Sequence, residues 1–111
     1  MEGHLPQWLP TGFGLVGAWS GSSHEAWAIW ANAECREVRI SFSGSATDKS
    51  AGSRLGPWTV TVDAADQCGN AVLGLGRCLG YEAPTSPGIV GIQAMGLERI
   101  VVDRIALSIP L

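Results

Sequence analysis

The stretch Arg36-Glu37-Val38-Arg39-Ile40-Ser41-Phe42-Ser43 alternates without a break. Val38, Ile40 and Phe42 are apolar, and Glu37, Arg39, Ser41 and Ser43 between and around them are polar. A period of two is the repeat of an extended chain, whose successive side chains point to opposite faces. The segment therefore reads as a strand with one buried and one wet face. Trp58-Thr59-Val60-Thr61-Val62-Asp63 repeats the pattern, with Trp58, Val60 and Val62 directed inward.

Outward from these two segments, the chain keeps a β-like texture. Residues 13–19 are apolar and punctuated by glycine, as a first strand would be, and Ser20-Gly21-Ser22-Ser23 reads as a turn. Residues 44–57 are small and polar and read as a long surface loop. Asp66-Gln67-Cys68-Gly69-Asn70 turns the chain, so that residues 71–75 would return as a hairpin partner. Residues 77–88 carry two prolines and read as a loop, and Ile89-Val90-Gly91-Ile92-Gln93-Ala94 reads as a further strand. Before the first strand, residues 1–11 hold Pro6 and Pro10, which exclude a regular helix or central strand, and form an arm anchored by Trp8.

Two segments admit both readings. In 24–31, Ser22 and Glu25 have the spacing of a capping box and the alanines favour helix; a strand is favoured by the β-like neighbours. In 97–108, Leu97, Val101 and Ile105 recur at helical spacing. The β-branched content and the alternation of Ile105, Leu107 and Ile109 favour a closing strand instead.

The chain has 111 residues, which suits one domain over residues 1–111. Its apolar share is 46% and its charged share 15%, a balance that disfavours disorder. About seven short strands separated by Gly, Pro and Ser turns predict an all-β, jelly-roll-like antiparallel sandwich. The alternative is an α+β fold, a curved antiparallel sheet with one C-terminal helix. A net charge of −3 with scattered basic residues gives no patch for phosphates, so nucleic acid is not an expected partner. No apolar run approaches the roughly 18 residues of a membrane span. Met1-Glu2-Gly3-His4 has neither the basic nor the apolar region of a signal peptide, which fits a cytoplasmic protein or a piece of a longer exported chain.

Several motifs need weighing against their structural readings. Gly12-Phe13-Gly14-Leu15-Val16-Gly17 spells the dinucleotide fingerprint, whose glycines must end a strand and open a helix at the pyrophosphate. Here two prolines precede it and Gly17-Ala18-Trp19-Ser20-Gly21 follows, so it reads as glycines in a strand, and no cofactor is expected. Only His4 and His24 could serve as a base, and no nucleophile elbow is present, so no catalytic residue is assigned. Cys35, Cys68 and Cys78 lack metal-ligand spacing, and Asp63, Asp66 and Asn70 suit turn chemistry as well as calcium, so no metal site is assigned. Cys68 and Cys78 could close a short disulfide loop, as in an oxidising compartment; otherwise all three cysteines are small buried hydrophobes.

Five tryptophans are the most unusual feature. Trp58 fits the inward alternation. Trp8, Trp19, Trp27 and Trp30 cannot all be enclosed by one sheet of this size. In a strand, the odd separation of Trp27 and Trp30 sends them to opposite faces. The candidate ligand-binding residues are therefore Trp19, Trp27 and Trp30, with polar residues of the 44–57 loop; the rival use of this surface is contact with another protein.

Two resemblances bear on the function. The blocks Val38-Arg39-Ile40-Ser41-Phe42-Ser43-Gly44, Gly56-Pro57-Trp58-Thr59-Val60-Thr61-Val62-Asp63, Gly69-Asn70 and Gly96-Leu97-Glu98-Arg99-Ile100-Val101-Val102-Asp103 together resemble jelly-roll modules of the galactose-binding-like type. That resemblance implies a non-catalytic module that binds carbohydrate or supports a larger exported protein. Leu9-Pro10-Thr11-Gly12-Phe13, with Gly96-Leu97-Glu98 and Asp103-Arg104-Ile105-Ala106-Leu107-Ser108-Ile109, is similar to extracytoplasmic domains of bacterial anti-sigma and lipoprotein-sorting-like proteins. That one implies a sensor or protein-interaction domain and a final helix.

Overall fold

The computed structural model describes residues 4–21, 25–44, 53–62, 78–85 and 88–111. Seven strands, β1 (Gly14–Ser20), β2 (Glu25–Ala31), β3 (Glu37–Ser43), β4 (Ser53–Leu55), β5 (Trp58–Val62), β6 (Cys78–Pro84) and β7 (Ile89–Met95), precede one helix, α1 (Arg99–Leu107). All seven strands join a single antiparallel sheet in the order β1-β2-β3-β7-β6-β5-β4. The β-rich class is as expected, and the combination of one sheet with a C-terminal helix matches the second architecture. No helix among the described residues is long and apolar enough to cross a membrane.

The alternation read from residues 36–43 is realised as drawn: Val38 and Ile40 are fully buried, and Phe42 packs against the same core. Segment 24–31 becomes strand β2, whose Ala26 and Ala28 are buried on that face. Three expectations require correction. Residues 77–88 read as loop because of their two prolines, but 78–84 form β6 near the sheet centre, with Leu79, Tyr81 and Ala83 buried. Pro84 is tolerated because it ends the strand, opposite Ile89, where the ladder stops. Residues 53–55, within the expected surface loop, form the short edge strand β4. Within 97–108, residues Arg99–Leu107 are helical and do not form a closing strand: Val102, Ile105 and Ala106 are buried, an i, i+3, i+4 set that faces the core, and Ile109 is buried just past the helix end. The proposed returning strand at 71–75 and the turn at 66–70 lie outside the described residues.

The core lies between α1 and one face of the sheet. Trp58 and Tyr81 meet edge to face at 6.4 Å, among Val60, Leu79, Val90, Ile92 and the helix residues. Tyr81 sends its hydroxyl across to α1, donating to the Asp103 carboxylate, and Arg99 stands 3.7 Å from that carboxylate one turn earlier. The arm also docks on the helix. The Ser108 hydroxyl accepts from the amides of Gln7 and Trp8 (3.1 and 3.2 Å) and donates to the carbonyl of Ile105 (2.7 Å). The Arg104 guanidinium lies 4.1 Å above the Trp8 ring. His4 stacks on Phe42 and contacts the Pro110 carbonyl.

The β2–β3 connection is closed by Asn32, whose side-chain oxygen accepts from the amides of Glu34 and Arg36, both at 3.0 Å. The turn ends with Cys35 at φ +62°. Cys35 is exposed and free, and Cys78 is disulfide-bonded, so neither is the lone buried hydrophobe considered from sequence. Cys68 lies outside the described residues.

Two outcomes follow from this geometry. A non-glycine residue in the left-handed region carries strain, so Cys35→Gly is expected to stabilise the fold by about 0.5–1 kcal/mol, measured by urea unfolding. Burial, reinforced by the Asp103 hydrogen bond and charge, holds the phenol of Tyr81 well above its ordinary ionisation range. The folded pKa is the higher one, so this contribution is complete below the unfolded value of about 10 and is lost as pH climbs above it. Because Tyr81 is the only tyrosine, the tyrosinate absorbance should stay absent in the native protein above that pH and rise only with unfolding. A native-state tyrosinate signal near the ordinary value would contradict this account.

Candidate functional site

The face of the sheet opposite α1 is organised by two rows of cross-strand neighbours. One row runs Gly17, Ile29, Arg39, Gln93 across β1, β2, β3 and β7; the next runs Trp19, Trp27, Ser41, Gly91, then Glu82 on β6 and Thr59 on β5. Period-two alternation puts these residues on one face because Ala28, Ile40 and Ile92 between them point into the core. Towards β5 and β6 this face is closed: Thr59, Gly80 and Cys78 are buried. Towards β1 and β2 it is open. Between them, Trp27, Ile29, Arg39, Ser41 and Gln93 line an open hollow of about 420 Å³.

Each wall has a local cause. Trp27 is 36% exposed, and its six-membered ring lies over Gly17, close enough that a Cβ there would touch it at an ordinary 3.6 Å. Gly91 lies more tightly against Ser41: a Cβ there would come within 3.0 Å of the serine hydroxyl. The Arg39 side chain is about half exposed, and among the described residues its one ionic neighbour is Glu37, at 3.5 Å on the same strand face. The hollow therefore combines an aromatic surface, an aliphatic side chain, one cation and two neutral hydrogen-bonding groups. Such a set can hold a flat or ring-shaped polar molecule by stacking and hydrogen bonds. Among the described residues there is no cluster of three or more His, Cys, Asp or Glu side chains able to hold a metal.

The three tryptophans named from sequence separate. Trp27 lines the hollow. Trp19 is its direct cross-strand neighbour, 49% exposed at the sheet edge, with its ring folded back over Gly21. Trp30 faces the other way and packs against the core, as its odd spacing from Trp27 requires. Residues 45–52 of the expected binding loop lie outside the described residues, as do His24 and the Asp63, Asp66 and Asn70 group. Ile29, Arg39, Ser41 and Gln93 had not been assigned to a site. The polar alternation of β3 already sent Arg39 and Ser41 outward, but their pairing with Gln93 depends on a neighbour far along the chain. The glycines at 12–17 lead into β1 and not into a helix, so the pyrophosphate geometry of the fingerprint is not built there.

A Cβ on Gly21 would overlap the far end of the Trp19 ring. The ring can swing away, so Gly21→Ala is expected to leave stability within about 0.5 kcal/mol while exposing Trp19 to water. The tryptophan emission should shift to the red, and the shift should vanish in a Trp19→Phe background; a shift that persists there would show that the ring is not packed as described. Comparison with known protein families, with curated proteins and with solved structures finds no match to this chain.

Proposed function

We propose that this protein is a non-catalytic binding domain that holds a saccharide ring in the hollow on the helix-free face of its sheet. The observation that carries this reading is an exposed indole, Trp27, set beside Arg39, Ser41 and Gln93 in one open depression. A pyranose has an apolar face of C–H groups and an equator of hydroxyls. Stacking of the first on an indole and hydrogen bonding of the second to a serine, an amide and a guanidinium is a complementary division of labour. Trp27 is the stacking residue, Trp19 extends the aromatic surface towards the edge, and Gln93 and Ser41 supply neutral donors and acceptors. The disulfide at Cys78 fits a domain of a larger exported protein, since such bonds persist in oxidising compartments.

A second reading, an extracytoplasmic sensor or protein-interaction domain, is favoured by a different observation. Edge strand β1 exposes Leu15, Val16 and Trp19, and α1 exposes Ile100 and Leu107, surfaces that another chain could cover.

Tryptophan fluorescence against a broad panel of oligosaccharides separates the two. Saccharide binding should perturb the emission, and Trp27→Ala should weaken it at least tenfold, given about 1.5–3 kcal/mol for an aromatic contact of this kind. Trp27 is exposed, so the variant should fold normally. A flat response across the panel would remove the saccharide reading and leave the protein-interaction one.

A further inference from the structure

The five side chains that line the hollow include one charge, and it is positive. Arg39 lies in the middle of the sheet, flanked on its own face by Ile29 on β2 and Gln93 on β7. Both neighbours are neutral, so the guanidinium is not neutralised across the strands. Its ionic contact is with Glu37, two residues back, where Nη2 meets Oε1 at 3.5 Å. A guanidinium has five N–H donors in a planar fork; among the described residues Glu37 is the ion-pair partner of Arg39, and the Arg39 side chain also lines the hollow.

We propose that the ring held against Trp27 is an acidic one, a hexuronate, whose carboxylate is taken by Arg39. This rests on the saccharide reading of the hollow and adds the chemical class. A carboxylate matches the planar guanidinium fork bidentately, which a hydroxyl cannot do. Glu37 already places a carboxylate beside Arg39 from the same protein, and the ligand's carboxylate supplies a second one from the open side. The other acids among the described residues of this face are more remote. Glu82 stands two strand spacings from Ser41, roughly 10 Å, beyond the screening length of about 8 Å at physiological ionic strength. Glu25 is opposite Ser43, at the far end of β3 from Arg39. Repulsion from them does not cancel the attraction at contact distance.

The test uses the whole chain and three probes of matched length: an oligogalacturonate, its methyl ester, and a sulfated galactan oligosaccharide. Binding is followed by tryptophan fluorescence and by calorimetry at low and at physiological salt. The expected result is roughly tenfold tighter binding of the free acid than of the ester, with the difference shrinking as salt is added. Arg39→Gln should remove the discrimination, leaving acid and ester alike. Glu37→Gln should increase affinity for the acid and leave the ester unchanged, a gain that loss of folding could not produce. Equal affinity for acid and ester in the wild-type protein, or a preference for the ester or the sulfated galactan, would overturn the acidic-sugar proposal while the saccharide reading stands. Absence of binding by all three probes and by the broader oligosaccharide panel would overturn both.

Discussion

The ladder between β3 and β7 is the constraint on which the rest of the structure depends. It joins two antiparallel meanders, β1–β3 and β4–β7, through seven opposed pairs from Glu37 with Met95 to Ser43 with Ile89. The residues concerned are far apart in sequence, so this ladder carries the largest loop-closure cost of the strand pairings. What offsets that cost is the burial of Val38 and Ile40 beside Val90, Ile92 and Ala94 on one face. Because the side-chain repeat is two, slipping β3 by one residue against β7 would send Ile40 to the open face and Arg39 into the core. Register and the shape of the hollow are therefore set together. The same pairing that buries the aliphatic row brings Arg39 against Gln93 and completes the hollow.

Once that face is apolar, it needs a cover, and α1 supplies it. The helix begins at Glu98 without a side-chain cap and is nine residues long, too short to be stable alone. Its order comes from contacts: Val102, Ile105 and Ala106 against the sheet, the Tyr81 hydroxyl on Asp103, and the N-terminal arm held by Ser108. The arm is fixed in place through Trp8, as its sequence suggested. It seals one end of the core with Trp8, while Arg104 covers the outer surface of that ring.

How much of this could be read from the residues depends on how local each signal was. The alternation of β3 and β5 was legible because each stands within one strand and needs no partner to be recognised. β6 was not, because Pro84 and Pro87 suggested a loop; the strand ends at Pro84, and the alternation of Leu79, Tyr81 and Ala83 before it was the signal that mattered. The C-terminal segment carried two periods at once. Its β-branched residues favoured a strand, yet the buried set at 102, 105 and 106 is helical, and packing against β6 overrode propensity. Of the candidate site, the opposite orientations of Trp27 and Trp30 followed from their odd spacing. Which of them was the outward one did not, because that depends on β2 pairing with β3 so that Ala28 meets Ile40.

The two faces also divide the tryptophans by chemistry. Trp58, fully buried, contributes area to the core and has its ring edge against Tyr81. Trp30 and Trp8 close the margins of that core. Trp19 and Trp27 remain as an adjacent pair on the opposite side, at the open end of a face that is closed towards β5 and β6. Burying them would have required a second layer of apolar side chains over β1–β3. Glycine stands at positions 17 and 91 instead, each a residue that weakens a strand relative to alanine by roughly 0.5–1 kcal/mol. A sheet selected for packing alone would fill those positions with β-branched residues. At Gly91 a Cβ would press on the Ser41 hydroxyl at 3.0 Å, so glycine there leaves that wall of the hollow unobstructed.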